Sequence, residues 1–494
     1  MHKRGKSDSP VVPANLPNNA AAAEAGEESG LAKGNTASKT RPGHWAGHGA
    51  LSALDRVRQA ARRDKEARFT ALLHHVSLER LVMAYWALSP KAAPGVDGVT
   101  WEDYGRDLVV NLRDLHDRVH SGRYRARPSR RAYIPKADGR LRPLGITALE
   151  DKIVQRAVVE VLNAVYEADF RGFSYGFRPG RSPHDALDAL ATGIERRKVN
   201  WILDADIRDF FTSLDHGWLE RFLGHRIADS RVLRLVRKWL SAGVIENGAW
   251  SETVEGAPQG ASASPLLANV YLHYVFDLWA EWWRRRYARG DVIIVRFADD
   301  FIVGFEHQGE ARRFLRDLRE RFAKFSLELH PGKTRLIEFG RFAARDRRAR
   351  GLGKPETFGF LGFTHMCGKD RNGRFALRRI TISKRMRAKL HEVKDQLRRR
   401  MHLPVPEQGR WLGSVVRGHY AYYAVPGNDS AIFAFRGQVT RHWYRSLRHR
   451  SQRTRLNWER MDRLATRWLP PARVAHPYPQ ARFDARTRGR SPVR

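Results

Sequence analysis

The feature that most restricts this chain is a pair of β-rich apolar runs with almost no room for a loop between them. Val292-Ile293-Ile294-Val295 and Phe301-Ile302-Val303 are separated only by Arg296-Phe297-Ala298-Asp299-Asp300. β-Branched and aromatic residues on both sides of so short an interval read as a hairpin with the two acids at or near its tip. An Asp-Asp dipeptide alone is an ordinary polar turn. Here a second acidic strand end accompanies it. Trp201-Ile202-Leu203-Asp204-Ala205-Asp206-Ile207 is apolar at 201–203 and at 207, and reads as a buried strand ending in acids. If the two strands are neighbours in one sheet, Asp206 meets Asp299 and Asp300. Crowded carboxylates repel and raise one another's pKa unless a cation neutralises them. Hard oxygen donors suit Mg²⁺, which typically uses one or two carboxylates with water and substrate phosphates. Two such ions about 4 Å apart can activate an attacking hydroxyl and stabilise a leaving phosphate oxygen.

The flanking pattern alternates. Helical periodicity starts near Leu51 and runs towards Leu88, and Ala93-Pro94-Gly95-Val96-Asp97-Gly98-Val99 follows as a turn-rich connector. Thr147-Ala148-Leu149-Glu150 has the form of a capping box, opening a helix with Val154, Val158, Val161 and Val165 on one face. After the hairpin comes a helix with Phe314, Leu315, Leu318, Phe322 and Phe325 inward, and strand character returns at Leu336-Ile337-Glu338-Phe339. The order strand, helices, hairpin, helix, strand predicts an α+β fold, a small sheet with helices on one face. Residues 1–50 are low in complexity, with runs such as Asn18-Asn19-Ala20-Ala21-Ala22-Ala23, and read as a disordered tail.

Charge narrows the partner. The 494 residues carry 90 Lys+Arg against 53 Asp+Glu, a net +37. At 42% hydrophobic the chain can bury a core, which excludes a wholly disordered, nucleic-acid-condensing protein. Length alone suggests about three domains. Nucleic acid is the leading polyanion, since bound Lys and Arg release its condensed counterions. No apolar run is long enough to span a bilayer and no signal-type segment opens the chain, so no membrane partner is expected. Cys367 is the only cysteine, which excludes an intramolecular disulfide and a zinc ribbon, and a cytoplasmic location is the simplest expectation. Residues 375–494 hold 28 Lys+Arg and 7 Asp+Glu, a net +21, interleaved with Trp411, Tyr420, Tyr422, Tyr423, Trp443, Tyr444, Trp458 and Trp468. Guanidinium on phosphate and rings on unpaired bases fit nucleic acid; a helical domain with an aromatic core and a solvated basic face is the bland alternative.

Several ordered blocks then become specific. Phe297-Ala298-Asp299-Asp300 resembles the [Tyr/Phe]-x-Asp-Asp signature of reverse transcriptases, and Asp206-Ile207-Arg208-Asp209-Phe210-Phe211 resembles their first catalytic block. Pro258-Gln259-Gly260 with Ser264-Pro265-Leu266-Leu267-Ala268-Asn269 resembles a third. Ile134-Pro135-Lys136 with Arg140-Leu141-Arg142-Pro143-Leu144-Gly145-Ile146, then Ser174-Tyr175-Gly176-Phe177-Arg178-Pro179-Gly180, then Leu329-His330-Pro331-Gly332-Lys333-Thr334, and finally Phe358-Gly359-Phe360-Leu361-Gly362-Phe363 follow the family's order. Pro94-Gly95-Val96-Asp97-Gly98 and Arg417-Gly418-His419-Tyr420-Ala421-Tyr422-Tyr423 are similar to elements of group II intron reverse transcriptases, the maturases.

The resemblance implies a right-hand polymerase: a tail at 1–50, a helical extension and start of the fingers at 51–130, fingers and palm with an antiparallel sheet at 131–370, and a basic helical thumb and maturase domain at 371–494. It implies RNA-directed DNA polymerisation with two Mg²⁺ ions, and assistance to splicing and mobility of an intron. Asp206, Asp299 and Asp300 are the implied catalytic acids and metal ligands, with the Ile207 carbonyl completing one sphere. Lys136 and Arg142 would grip the incoming triphosphate, which suits their charge-assisted donors. Phe211 would be the gate against a ribose 2′-OH, Gln259 would contact the nucleotide near its sugar, and Lys333 would sit near the leaving pyrophosphate. Arg417, Tyr422, Tyr423, Arg441 and Arg445 would bind RNA. The implied partners are intron RNA, an RNA template with its DNA primer, dNTPs and target DNA. Thr212 stands where many group II members have a third Asp, Ala261 replaces a frequent Gly, and Phe297 replaces the common Tyr. The paired cysteines of the family's His-Asn-His endonuclease region are absent, so the endonuclease-lacking type is expected. Two alternatives stay open: a defence-associated or domesticated reverse transcriptase without an intron, and a mainly RNA-binding splicing cofactor.

Overall fold

The computed structural model describes residues 48–135, 141–253, 255–450 and 456–487. Lys136 and nearly all of the predicted disordered tail lie outside the described residues. The fold is mixed α+β. Its strands are β1 (Ser129–Pro135), β2 (Leu141–Ile146), β3 (Trp201–Asp206), β4 (Val244–Glu246), β5 (Ala249–Ser251), β6 (Val292–Phe297), β7 (Asp300–Phe305), β8 (Arg335–Glu338), β9 (Phe358–Phe360), β10 (Phe363–Lys369) and β11 (Phe375–Thr381). They form three sheets, ordered β2-β1-β4-β5, β6-β7-β3-β8 and β11-β10-β9.

The second sheet is antiparallel throughout and holds the predicted hairpin as β6 and β7. Strand β6 is buried along its whole length. Alternate side chains therefore enter different cores. Leu203, Ala205, Ile294, Phe301, Val303 and Phe305 pack with residues of helices Leu149–Tyr166, Ser264–Leu272 and Gln308–Ala323. Ile202, Ile293, Val295, Phe297 and Ile302 pack with the Pro183–Arg196 helix and with Phe358, Phe360 and Phe363. The expectation of helices on one face is thus corrected: both faces are covered. Runs with no polar side chain in alternate positions have no face to offer to water.

The predicted capping box at Thr147 does not form. Ala148 is the N-cap of the Leu149–Tyr166 helix, without a side-chain cap bond. Glu150 instead accepts from Arg118 Nη2 at 2.7 Å, across helices. A capping box does form at Ser182 and Asp185. Val154, Val158, Val161 and Val165 are buried as the periodicity predicted.

The expected boundary at 370/371 falls in the β10–β11 turn, and the C-terminal helices begin at Ser383. Helices Ser383–Arg399, Val405–Tyr423, Asp429–Arg448 and Trp458–Trp468 supply a third core around Leu412, Val416, Phe435, Val439, Trp443 and Met461. The last helix, Pro479–Thr487, returns to the Pro183–Arg196 helix. There the buried Asp188 accepts from both Arg379 and Arg482, and Arg196 donates to both oxygens of Asp484 at 2.8 and 2.7 Å. Among the described residues no helix is long and apolar enough to cross a membrane.

Three buried imidazoles give the fold an acid limit. His273, His365 and His419 are each pushed down to about 3 from an ordinary 6.5, burial being the largest cause and nearby cations the next. His365 stacks on Phe358 and His419 on Phe435, so the rings serve as neutral aromatics. A depressed imidazole pKa favours the neutral form in the fold. Stability from these rings is complete above about pH 6.5 and is lost as pH falls towards 3, at most about 2 kcal/mol per ring by pH 5. Thermal unfolding followed by circular dichroism is expected to show a lower Tm at pH 5 than at pH 7; an equal or higher Tm at pH 5 contradicts this.

Candidate active site

The acids come together through strand register. In the antiparallel β3–β7 pair Asp206 lies directly opposite Asp300, and Asp204 opposite Ile302. Side chains two apart on a strand share a face, so Asp204 joins Asp206 and Asp300. Asp299 is the second residue of the two-residue turn between β6 and β7; the first, Ala298, has φ 56°. A positive φ at the first loop position alone is the type II′ pattern, whose twist suits a tight hairpin. Ile207 forms a bridge to Leu329, flanked by bonds from Arg208 N to Glu328 O and from His330 N to Asp206 O. Neither bond uses the Ile207 carbonyl.

A buried network holds the turn. Arg296, fully buried on β6, donates Nε and Nη2 to the two oxygens of the equally buried Asp277, at 2.7 and 2.6 Å. Its Nη1 donates to the Ala298 carbonyl and to Asn269 Oδ1, both at 3.0 Å, and Nη2 also donates to Ser174 Oγ at 2.7 Å. Asn269 Nδ2 in turn donates to the Gly176 carbonyl at 2.8 Å. Gly176 has to lack a side chain, because a Cβ there would lie 2.3 Å from the Ala298 nitrogen. Asp277 closes a π-helical segment, His273–Asp277, set between helices Ser264–Leu272 and Leu278–Tyr287. Such bulges frequently occur at functional sites.

Cations and amides face the acids. Lys333 Nζ donates to Asp206 Oδ2 at 2.5 Å, brought back by the turn that follows His330. On β2, Arg142 Nε donates to Gln259 Oε1 at 3.3 Å. The Gln259 carbonyl accepts from Gly145 N at 2.7 Å, and Gly260, at φ +103°, runs close against the Gly145 carbonyl. The Phe211 carbonyl accepts from Ala257 N at 2.7 Å, which brings Phe211 beside the same loop. Its ring is half-buried, whereas Phe210 is in the core.

The electrostatics follow the crowding. Burial raises the Asp299 pKa and Asp206 adds to it, while its own backbone amide, Arg142 and Lys333 oppose. Asp300 is pushed well above the usual carboxylate range by burial, then by Asp204, Asp299 and Asp206. Asp204 is raised by burial and Asp206 against the pull of Arg335, whose Nη2 donates to it at 3.3 Å. Among the described residues no three acid or imidazole groups form a ready-made metal cage. The donor chemistry still fits a hard divalent ion, since mutually raised carboxylates are relieved by a cation whose remaining ligands are water and phosphate oxygens.

The proposed RNA-contacting residues are spread out. Arg417 is exposed on the Val405–Tyr423 helix, and Arg441 and Arg445 are exposed on the Asp429–Arg448 helix. Tyr422 and Tyr423 lie in a seam instead. The Tyr422 hydroxyl donates to the Leu361 carbonyl at 2.8 Å, and both rings pack near Phe363. Sequence reasoning missed Asp204 as a site member, although period two places it with Asp206. It also missed Arg296, Asn269 and Asp277, whose role no local pattern signals.

Carboxylates on adjoining strand ends, faced by a lysine, an arginine and a glutamine loop, define a class: nucleotidyl transferases acting on a polyphosphate. The family model described as "Reverse transcriptase (RNA-dependent DNA polymerase)" matches residues 134–365. Protein YkfC of Escherichia coli (strain K12) is 37% identical over 285 residues, 50% of this chain and 74% of YkfC. The group II intron-encoded protein LtrA of Lactococcus lactis subsp. cremoris is 32% identical over 225 residues, 45% of this chain and 37% of LtrA. Nuclear intron maturase 3 of Arabidopsis thaliana is 26% identical over 163 residues, 33% of this chain and 21% of that protein. The chain belongs to the reverse transcriptases, the RNA-directed DNA polymerases, and within them to the group II intron-encoded branch.

The buried network yields a prediction. Arg296→Met leaves Asp277 charged and alone, and is expected to cost about 3–5 kcal/mol of stability. Adding Asp277→Leu removes that charge and is expected to recover most of the stability. Primer extension is expected to stay low in the double variant, because the turn has lost the donor to the Ala298 carbonyl. Denaturant titration and extension assays read the two effects separately; a stable double variant with wild-type extension contradicts the positioning role.

Proposed function

We propose that this chain extends a DNA primer on an RNA template and binds the RNA of a group II intron as a maturase. The observation that carries the first part is the Asp206–Asp300 register, with Asp299 on the adjoining turn and Arg142, Gln259, Phe211 and Lys333 gathered around it. In this reading Asp206, Asp299 and Asp300 hold two Mg²⁺ ions, with the Ile207 carbonyl as a further ligand. The ions, when bound, supply activation of the primer 3′-OH and charge stabilisation at the departing pyrophosphate. Arg142 and Lys136 hold the triphosphate in line with the primer. Lys333, paired with Asp206, is available to exchange that carboxylate for a phosphate oxygen. Gln259, fixed by Arg142 and by the Gly145 amide, faces the nucleotide sugar, and Phe211 closes the space a 2′-OH would need.

The helices from Ser383 onward act as a thumb and maturase region. The support is their net basic character and the exposed Arg417, Arg441 and Arg445. Tyr422 and Tyr423 serve this reading by seating the Val405–Tyr423 helix against Phe363. Kinship with LtrA, named as a group II intron-encoded protein, favours an intron RNA as the partner over a purely defensive role.

Asp299→Ala is expected to abolish oligo(dT) extension on poly(rA) while RNA binding survives; extension at the wild-type rate by this variant refutes the reading. Phe211→Ala is expected to raise rNTP use relative to dNTP by roughly tenfold or more. Single-nucleotide insertion kinetics measure this, and an unchanged ratio removes Phe211 from the gate.

A further inference from the structure

The C-terminal helices carry a cleft that takes no part in the site above. It has a volume of about 520 Å³ and is lined by Arg441, Tyr444, Arg445, Arg448, His449 and Trp458. The spacing 441, 444, 445, 448 places four of these on one face of the Asp429–Arg448 helix. Arg441, Arg445 and Arg448 are exposed. Among the described residues none of the three makes an ion pair, and Glu459, next to Trp458 in sequence, is engaged by Arg463. The local field is positive enough to act on His442, whose pKa is lowered by burial and then by Arg445, Lys394 and His391.

Two rings give the cleft a second character. Tyr444 and Trp458 stack at 4.3 Å with planes 20° apart. The Tyr444 hydroxyl donates to the Leu456 carbonyl at 3.3 Å, which fixes the lower ring. Trp458 remains 48% exposed. A tryptophan with one face packed and the other in water is a stacking platform. Three uncompensated guanidinium groups beside it are a phosphate site. Paired bases in a duplex already stack on one another, so both features are used together only by a nucleotide whose base is unpaired. An acidic protein segment would use the arginines and leave the ring idle.

We propose that this cleft binds an unpaired nucleotide of single-stranded RNA, with its base on Trp458 and its flanking phosphates on Arg441 and Arg445. The inference rests on the nucleic-acid-binding reading of the C-terminal region and adds the form of RNA recognised. The test is fluorescence-anisotropy titration of the full chain with labelled single-stranded oligo(rA) and with a blunt RNA duplex of equal length. Trp458→Ala is expected to weaken oligo(rA) binding roughly 5- to 100-fold, the size of one lost base–aromatic stack, with the duplex nearly unaffected. Trp458→Phe is expected to restore most of the loss. Arg441→Gln with Arg445→Gln is expected to weaken oligo(rA) and to lower the slope of log affinity against log salt by about 1.4. Unchanged oligo(rA) affinity in both Trp458→Ala and the arginine variant overturns the proposal. So does an equal loss on the duplex, or competition by polyglutamate as strong as by oligo(rA). Primer extension by the wild-type chain is scored separately, so the polymerase reading and this one fail independently.

Discussion

Arg296 and Asp277 are both fully buried, and their ion pair fastens the acid-bearing turn to the helix behind it. A lone charge in this position would be severely penalised, so each residue is tolerable only with the other in place. Five N–H donors let Arg296 serve more than its partner. It reaches Asp277, Asn269, Ser174 and the Ala298 carbonyl at once, joining β6, the 174–176 loop, the π-helical segment and the turn. The positive φ at Ala298 and the close approach of Gly176 are sustained by these contacts. Where Asp299 stands, and how rigidly, follows from this pair.

The same economy of charge shapes the open side of the site. Asp204, Asp206, Asp299 and Asp300 form a negative spot in a strongly basic protein, and three of them, Asp204, Asp299 and Asp300, are raised in pKa chiefly by burial, with their acidic neighbours adding to it. Lys333, Arg335 and Arg142 lie around the spot without cancelling it. Such a balance suits a ligand set that brings both cations and phosphate. The C-terminal helices show the opposite case, where, among the described residues, the arginines of the Tyr444–Trp458 cleft make no ion pair with an acid.

Elements with a short-range signature were legible. The hairpin was, because β-rich runs five residues apart leave only a turn between them. The inward faces of residues 154–165 and 314–325 were, because period 3.6 records burial. Harder cases failed for definable reasons. The Thr147 box did not form: the helix is capped one residue later, at Ala148, and Glu150 pairs with Arg118, 32 residues away in sequence. Helices were expected on one face of the sheet, yet the apolar runs needed cover on both. For Tyr422 and Tyr423, expected to contact RNA, the fold adds a packing role that no local pattern signals: their rings join the C-terminal helices to the β9–β10 hairpin.

What the chain determined by itself is the set of local facts: two strands with a tip of acids, a third strand ending in acids, glycine-bearing loops and a basic C-terminal quarter. Each depends on neighbours a few residues apart, and periodicity or composition records it directly. Tertiary structure alone decided which groups face one another. Asp206 meets Lys333 across 127 residues and Arg142 meets Gln259 across 117. Such pairings arise when sheets and helices close over shared cores, and burial then obliges each polar group to find a partner. No local pattern carries that partner's identity. For that reason Asp206, Asp299 and Asp300 could be listed in advance, while Arg296 beneath them became visible only in the folded chain.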